Sequence, residues 1–159
     1  MTIQVGDNLP EGTLQLANDG PQPVNASELF AGKKVVLFAV PGAFTPTCSA
    51  KHLPGYVDHY QALKDKGVDT VACLSVNDAF VMGAWGKSQS VPEGITLLAD
   101  GNGSYAKALG LEMDATGFGM GIRAKRFALV AEDGKVTHLF VEQPGEFRVS
   151  SAEAVLEAI

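Results

Sequence analysis

Residues 34–40 (KVVLFAV) constrain this chain more than any other segment. After Lys34 the run has no polar interruption, and it is rich in β-branched and aromatic side chains, as in a strand buried on both faces. Such a strand needs helices above and below it, which predicts the middle of an α/β sheet. Residues 68–76 (VDTVACLSV) carry the same signature, and residues 95–99 are a shorter candidate. Residues 126–131 and 135–141 flank Glu132-Asp133-Gly134, a hairpin signal. Residues 13–16 and 23–25 could form a small N-terminal hairpin around Asn18-Asp19-Gly20.

Helical patterns fall between these strands. Leu53, Tyr56, Val57, Tyr60 and Leu63 make an apolar stripe, with Pro54-Gly55 predicting a kink and Gly67 a C-cap. Asn77 or Asp78 caps a helix carrying Phe80, Val81, Ala84 and Trp85. Residues 104–109 form a short helix stopped by Gly110, and Ser150-Ser151-Ala152-Glu153 reads as a capping box opening the last one. Strands interleaved with helices and closing on a hairpin predict an α/β sandwich with a central mixed sheet.

The chain has 159 residues, 46% hydrophobic and 19% charged, which fits one domain with a real core. No repeat period or linker divides it, so residues 1–159 read as a single domain. The formal charge of −6 and the scattered basic residues argue against a nucleic-acid partner. No apolar run approaches a membrane span, and the first ten residues show no apolar signal segment. The expected location is cytoplasmic, or an organelle if a presequence has been removed.

Only two cysteines are present, Cys48 and Cys73, too few for a disulfide scaffold. Cys48 ends the segment Pro41-Gly42-Ala43-Phe44-Thr45-Pro46-Thr47-Cys48. This segment leaves the C-terminal end of a buried strand, where open α/β sheets place their sites. It then enters a helix at or near Cys48. A thiol in a first helical turn sits beside unpaired backbone N–H groups and the positive end of the helix dipole, and both favour thiolate over thiol. Position alone allows a plainer account, in which Thr47 is an ordinary N-cap and Cys48 a small residue behind it. Cys73 lies amid strand residues, where a thiol is inert filler or, under some conditions, a disulfide partner.

Pro41-x-x-x-Thr45-x-x-Cys48 resembles the signature of the peroxiredoxins, and residues 41–56 (PGAFTPTCSAKHLPGY) resemble their atypical, type II subfamily. Residues 71–85, 97–111 and 123–136 extend the resemblance from about Gly6 to the C-terminus. It implies a thioredoxin-like fold and a thiol-dependent peroxidase acting on hydrogen peroxide and alkyl hydroperoxides. The Cys48 thiolate would attack the O–O bond and become a sulfenic acid. Pro41 would shield the sulfur. Thr45 would hydrogen-bond the thiolate and the attacked oxygen. Arg126 would stabilise the thiolate and the leaving oxygen. Arg123 is a weaker candidate for a supporting role, and Lys125 is expected on the opposite strand face from Arg126.

Some relatives carry a resolving cysteine in the segment after the hairpin. This chain has Glu146-Phe147-Arg148-Val149-Ser150-Ser151 there. That departure points to a one-cysteine mechanism, with an external thiol meeting an exposed sulfenic acid. Glutathione with glutaredoxin is the expected electron donor, or else thioredoxin. No bound cofactor and no metal are expected, and the resemblance implies a homodimer.

Gly117-Phe118-Gly119-Met120-Gly121 fails as a dinucleotide loop, because it neither follows a strand nor opens a βαβ unit. It reads as a flexible loop, with Phe118 and Met120 either an apolar rim beside the thiol or packing filler. His52 lies four residues after Cys48 and could tune it, but a structural or interface role is the expectation. His59 and His138 have no evident partner, and Trp85 reads as core or interface. Two readings compete with the peroxidase: a thiol-disulfide or glutathione-binding module, weakened by the missing CxxC, and a redox-sensing partner switched by Cys48 oxidation.

Overall fold

The computed structural model describes residues 2–17 and 21–159. Strands β1 (Thr13–Ala17) and β2 (Pro21–Asn25) pair antiparallel at one edge of the sheet. The Asn18-Asp19-Gly20 turn expected between them lies outside the described residues. Pro21 and Pro23 are tolerated there because an edge strand can leave ladder positions undonated. The short helix α1 (Ala26–Phe30) follows, capped by the Asn25 side chain accepting from Ser27 N–H.

Strand β3 (Lys34–Ala39) is buried from Val35 onward, as its apolar run requires. It pairs parallel with β4 (Thr70–Ser75), and β4 pairs parallel with β5 (Ile95–Ala99). On its other side β3 pairs antiparallel with β8 (Phe127–Glu132), which forms a hairpin with β9 (Lys135–Val141). Asp133 (φ 50°) and Gly134 (φ 78°) both take the left-handed conformation of a two-residue hairpin turn. Among the described residues the order is β2-β1-β5-β4-β3-β8-β9, a central mixed sheet flanked by helices. A separate ribbon pairs β6 (Glu112–Asp114) with β7 (Ile122–Ala124), which the sequence did not reveal.

Alternation along β3 divides the core. Val36, Phe38 and Val40 face one layer with Cys48, Leu53, Tyr56 and Cys73. Val35, Leu37 and Ala39 face the other with Phe30, Tyr105 and Leu109. The second layer includes α5 (Ser104–Leu109), ended by left-handed Gly110 as expected. The first includes α4 (Ala79–Ser88), capped by Asp78.

The helical stretch after Cys48 departs from the expected single kink at Pro54-Gly55. Residues 48–52 form a π-turn, closed by Leu53 N–H on the Cys48 carbonyl. Helices α2 (Leu53–Asp58) and α3 (Tyr60–Asp65) then meet at His59, which leaves helical geometry. Proline fits the first turn of a helix, where its missing donor is not needed. The departures from regular helix thus fall at the π-turn just ahead of Pro54 and at His59.

The last helix, α6 (Ala152–Ala158), is capped by Ser151, whose hydroxyl accepts from Ala154 N–H, rather than by Ser150. Ser150 is buried and committed elsewhere, and Glu153 stands 3.3 Å from His59.

Candidate active site

Two segments converge at the C-terminal end of β3. Register pairs Ala39 with Phe127, so Arg126 arrives beside the loop that begins at Pro41. That loop is tightly held. Ala43 N–H donates to Asn77 Oδ1 at 2.9 Å, and the Thr45 hydroxyl donates to the Gly42 carbonyl at 2.7 Å. These bonds enforce a left-handed Phe44 (φ 64°), a conformation that costs of order 1–3 kcal/mol outside glycine. A Cβ at Gly42 would stand 2.9 Å from Arg123 Nη1, so a side chain there would push that guanidinium aside. Arg123 ties the loop down, donating from Nη1 to the Pro41 carbonyl (3.3 Å) and from Nε to Met120 (2.9 Å). Arg123 thus stands against the backbone of the loop that leads to Cys48.

The chain turns helical at Pro46, so Cys48 lies in the first turn, with Ser49 N–H on the Thr45 carbonyl at 3.0 Å. Cys48 Sγ accepts a hydrogen bond from Arg126 Nη2 at 3.0 Å. The other terminal nitrogen, Nη1, is 2.9 Å from His52 Nδ1. Phe147 covers the group, its ring centroid 5.8 Å from the Arg126 guanidinium carbon and 4.9 Å from the His52 ring. The Thr45 hydroxyl is directed at Gly42, and among the described residues it makes no hydrogen bond to Cys48.

One expectation is narrowed here and another changes. His52, read as either tuning the thiol or structural, is buried and in contact with Arg126. Burial, followed by the Arg126 charge, pushes its pKa down to about 3. Cys48, expected at an exposed position, is fully buried, because it packs in the same layer as Phe38 and Tyr56. It neighbours a cleft of about 850 Å³ lined by Pro41, Thr47, Phe118, Lys125, Arg126 and Phe147. Lys125 therefore does not turn to an opposite face: β8 begins only at Phe127, so strand alternation does not reach it. Phe118, 85% exposed, lines this cleft, while Met120 is not among its lining residues. A second cleft of about 680 Å³ beside α4 and β5 is lined by no cysteine or histidine.

Glu142 had no signal in the sequence. Its carboxylate accepts from the N–H groups of Arg148, Val149 and Ser150 at 2.8–2.9 Å and from the Ser150 hydroxyl at 2.7 Å. Burial acts to raise its pKa, but these donors outweigh burial and hold the carboxyl below the ordinary range. Cys73 is sealed in the sheet. Burial, and secondarily the nearby Cys48, pushes its thiol pKa well up. Among the described residues no cluster of three His, Cys, Asp or Glu side chains could hold a metal. Nor is any helix among them long and apolar enough to cross a membrane.

A cysteine at a helix start on a thioredoxin-like sheet, with an arginine on its sulfur, defines a thiol-based redox protein. The redoxin family profile matches residues 4–156. The chain is 52% identical to peroxiredoxin-2B of Arabidopsis thaliana over 159 residues, covering 99% of this chain and 98% of that one. Its fold superposes on reduced Prx3 of Vibrio vulnificus in complex with hydrogen peroxide, with TM-score 0.94, 56% identity and 99% coverage of both chains. It also superposes on the 1-Cys peroxiredoxin of Plasmodium falciparum, with TM-score 0.91, 30% identity and 98% coverage of both chains. The chain belongs to the peroxiredoxin family, whose members are thiol peroxidases.

Proposed function

We propose that this peroxiredoxin reduces hydrogen peroxide and alkyl hydroperoxides by a one-cysteine cycle on Cys48. The contact that carries the reading is Arg126 Nη2 on Cys48 Sγ at 3.0 Å. In the first step the Cys48 thiolate attacks one peroxide oxygen. An S–O bond forms as the O–O bond breaks, sulfur is oxidised by two electrons, and the leaving oxygen takes a proton to become water or an alcohol. Arg126 faces the charge that moves from sulfur to oxygen. Pro41 closes one side of the cleft, and Thr45 contributes its hydroxyl oxygen beside the nucleophile's helix turn.

In the second step an external thiol attacks the sulfenic sulfur, water leaves, and a mixed disulfide forms. A second thiol, from glutaredoxin or another glutathione, then releases the Cys48 thiolate. Support for one cysteine comes from Ser150 and Ser151, which fill polar roles of their own, and from the burial of Cys73. Support for glutathione comes from Lys51 and Lys125, which line the cleft and make no ion pair among the described residues. They offer charge to the carboxylates of the tripeptide. Thioredoxin is the other donor. No resident cofactor enters the cycle. A homodimer fits the exposed Phe44, in the loop that carries Ala43, and the exposed Phe80, in the first turn of α4 just after Asn77, the residue bonded to Ala43. Cytoplasmic residence fits two free thiols.

Single-turnover stopped-flow with hydrogen peroxide, on wild type and Cys48→Ser, tests the first step. Loss of the reaction in Cys48→Ser is expected, and an undiminished rate would refute the assignment. Steady-state turnover with glutathione and glutaredoxin against thioredoxin as sole donor tests the second.

A further inference from the structure

The two ring nitrogens of His52 are committed to different partners. Nδ1 faces Arg126 Nη1 at 2.9 Å, and Nε2 faces the Ser150 carbonyl oxygen at 3.0 Å. A guanidinium only donates and a carbonyl oxygen only accepts, so one form of the ring satisfies both contacts: neutral, with its proton on Nε2. Burial and the Arg126 charge act in the same direction. The Ser150 carbonyl is itself fixed, since it also accepts from the Tyr56 hydroxyl at 2.8 Å. The remaining polar groups of Ser150 donate to Glu142, and Glu142 N–H donates to the Arg126 carbonyl at 3.0 Å. The path from Arg126 through His52, Ser150 and Glu142 thus closes on Arg126 again. Besides Arg126, the titratable groups close to this ring of contacts include Cys48, Tyr56 and Glu142, with Cys73 and Glu153 near enough to act on Tyr56.

We propose that His52 is a positioning residue of the peroxidase reaction: its Nδ1 lone pair holds one arm of the Arg126 guanidinium so that the other arm meets the Cys48 sulfur. Glu142 serves the same end one step removed, by fixing the carbonyl that holds His52. An arginine side chain has several rotatable bonds, and a single sulfur contact leaves its fork free to turn. A second contact to a rigid, buried acceptor removes that freedom. His52 exchanges no proton in this role. The inference rests on the reading of Cys48 and Arg126 given above.

Two substitutions separate the two nitrogens of the ring. His52→Asn puts an amide oxygen near the place of Nδ1 and keeps an acceptor for Arg126. His52→Gln reaches toward the place of Nε2 and keeps the Ser150 contact while losing the acceptor. The rate constant for peroxide reduction is measured by stopped-flow, with melting temperature and the rate of Cys48 alkylation alongside. A misplacement of about 1 Å in a reacting group can cost about 10²-fold. His52→Gln is therefore expected to lose about 10- to 100-fold, and His52→Asn to stay within about threefold of wild type. The Asn variant keeps the wild-type shape of the pH–rate profile between about pH 5 and 8, the range in which an ordinary histidine would titrate. Glu142→Gln, which retains the side-chain volume, is expected to lose about threefold to tenfold, and its rate decides the matter if the His52 variants do not fold. Equal rates in the Asn and Gln variants, losses that follow only the melting temperature, an unchanged rate in Glu142→Gln, or loss of a pH limb in the Asn variant would each overturn the proposal. Peroxide reduction that survives in Cys48→Ser would instead overturn the underlying assignment, so the two failures are distinguishable.

Discussion

Arg126 reaches Cys48 across 78 positions of sequence, placing Nη2 3.0 Å from the sulfur. The sheet makes this possible, because β8 lies against β3 in a register that sets residue 126 beside the loop after Ala39. An N–H fixed on the nucleophile before reaction needs little reorganisation as charge develops on the leaving oxygen. Arg126→Ala should therefore slow peroxide reduction by about 10²–10³-fold. Lys125→Ala, which alters the same cleft without touching the sulfur, should have a much smaller effect. Comparing the two rate constants checks this, and equal small losses would remove Arg126 from the reaction.

Gly42 is a second sensitive point. A methyl group at this position would press on Arg123 Nη1 at 2.9 Å and Thr45 Cγ2 at 3.2 Å. Gly42→Ala should displace the arginine that ties Pro41 down and lower the peroxide rate by about tenfold, within the range a 1 Å displacement can produce. The check is the rate of Gly42→Ala beside that of Arg123→Ala. Losses of similar size are expected from the two.

Acid should weaken the fold through His52. Its pKa is about 3 when folded and about 6.5 when unfolded, so the unfolded chain binds the extra proton between those values. The neutral ring's contribution is complete above about pH 6.5 and is lost progressively as pH falls toward about 3. Glu142 acts in the same sense, since its lowered folded value makes its contribution fade as pH drops through the carboxylate range. Between pH 7 and about 4.5, His52 alone accounts for roughly 2–3 kcal/mol at 1.36 kcal/mol per pH unit. Urea unfolding of wild type and His52→Asn at both pH values should show a smaller acid loss in the variant. Parallel losses would contradict it.

Much of this was legible in the chain because it depends on neighbours in sequence. Residues 34–40 declare a doubly buried strand by composition, and Asp133-Gly134 declares a tight turn by backbone preference. Cys48 and Thr45 stand out by spacing. What escaped reading depends on distant partners. Spacing sets His52 near Cys48, but its role could not be read from that, since its partners are 74 and 98 positions away. Glu142 looks like an ordinary strand-end acid until the loop returns to lay three N–H groups on it. Ser150 and Ser151 are equivalent as caps in sequence, and only the buried carboxylate decides between them. The exposed setting expected for Cys48 failed because helix-start chemistry fixes local geometry, whereas burial is set by Phe38 and Tyr56 from other elements.

The Cys73 thiol should be silent in the native protein. It lies within the sheet, and burial raises its pKa well above the ordinary thiol range. Alkylation of native protein followed by peptide mass spectrometry should label Cys48 far ahead of Cys73. Cys73→Ser should cost about 1–3 kcal/mol in stability if its hydroxyl finds no partner.

If one cysteine completes the cycle, Cys73 is dispensable for turnover. The decisive measurement is steady-state peroxide reduction by Cys73→Ser with glutathione and glutaredoxin as sole electron donor. Activity close to wild type is expected, with a Cys48–glutathione mixed disulfide trapped when glutaredoxin is withheld. Loss of turnover in Cys73→Ser, with its first peroxide burst intact, would make Cys73 the resolving residue and contradict the one-cysteine cycle.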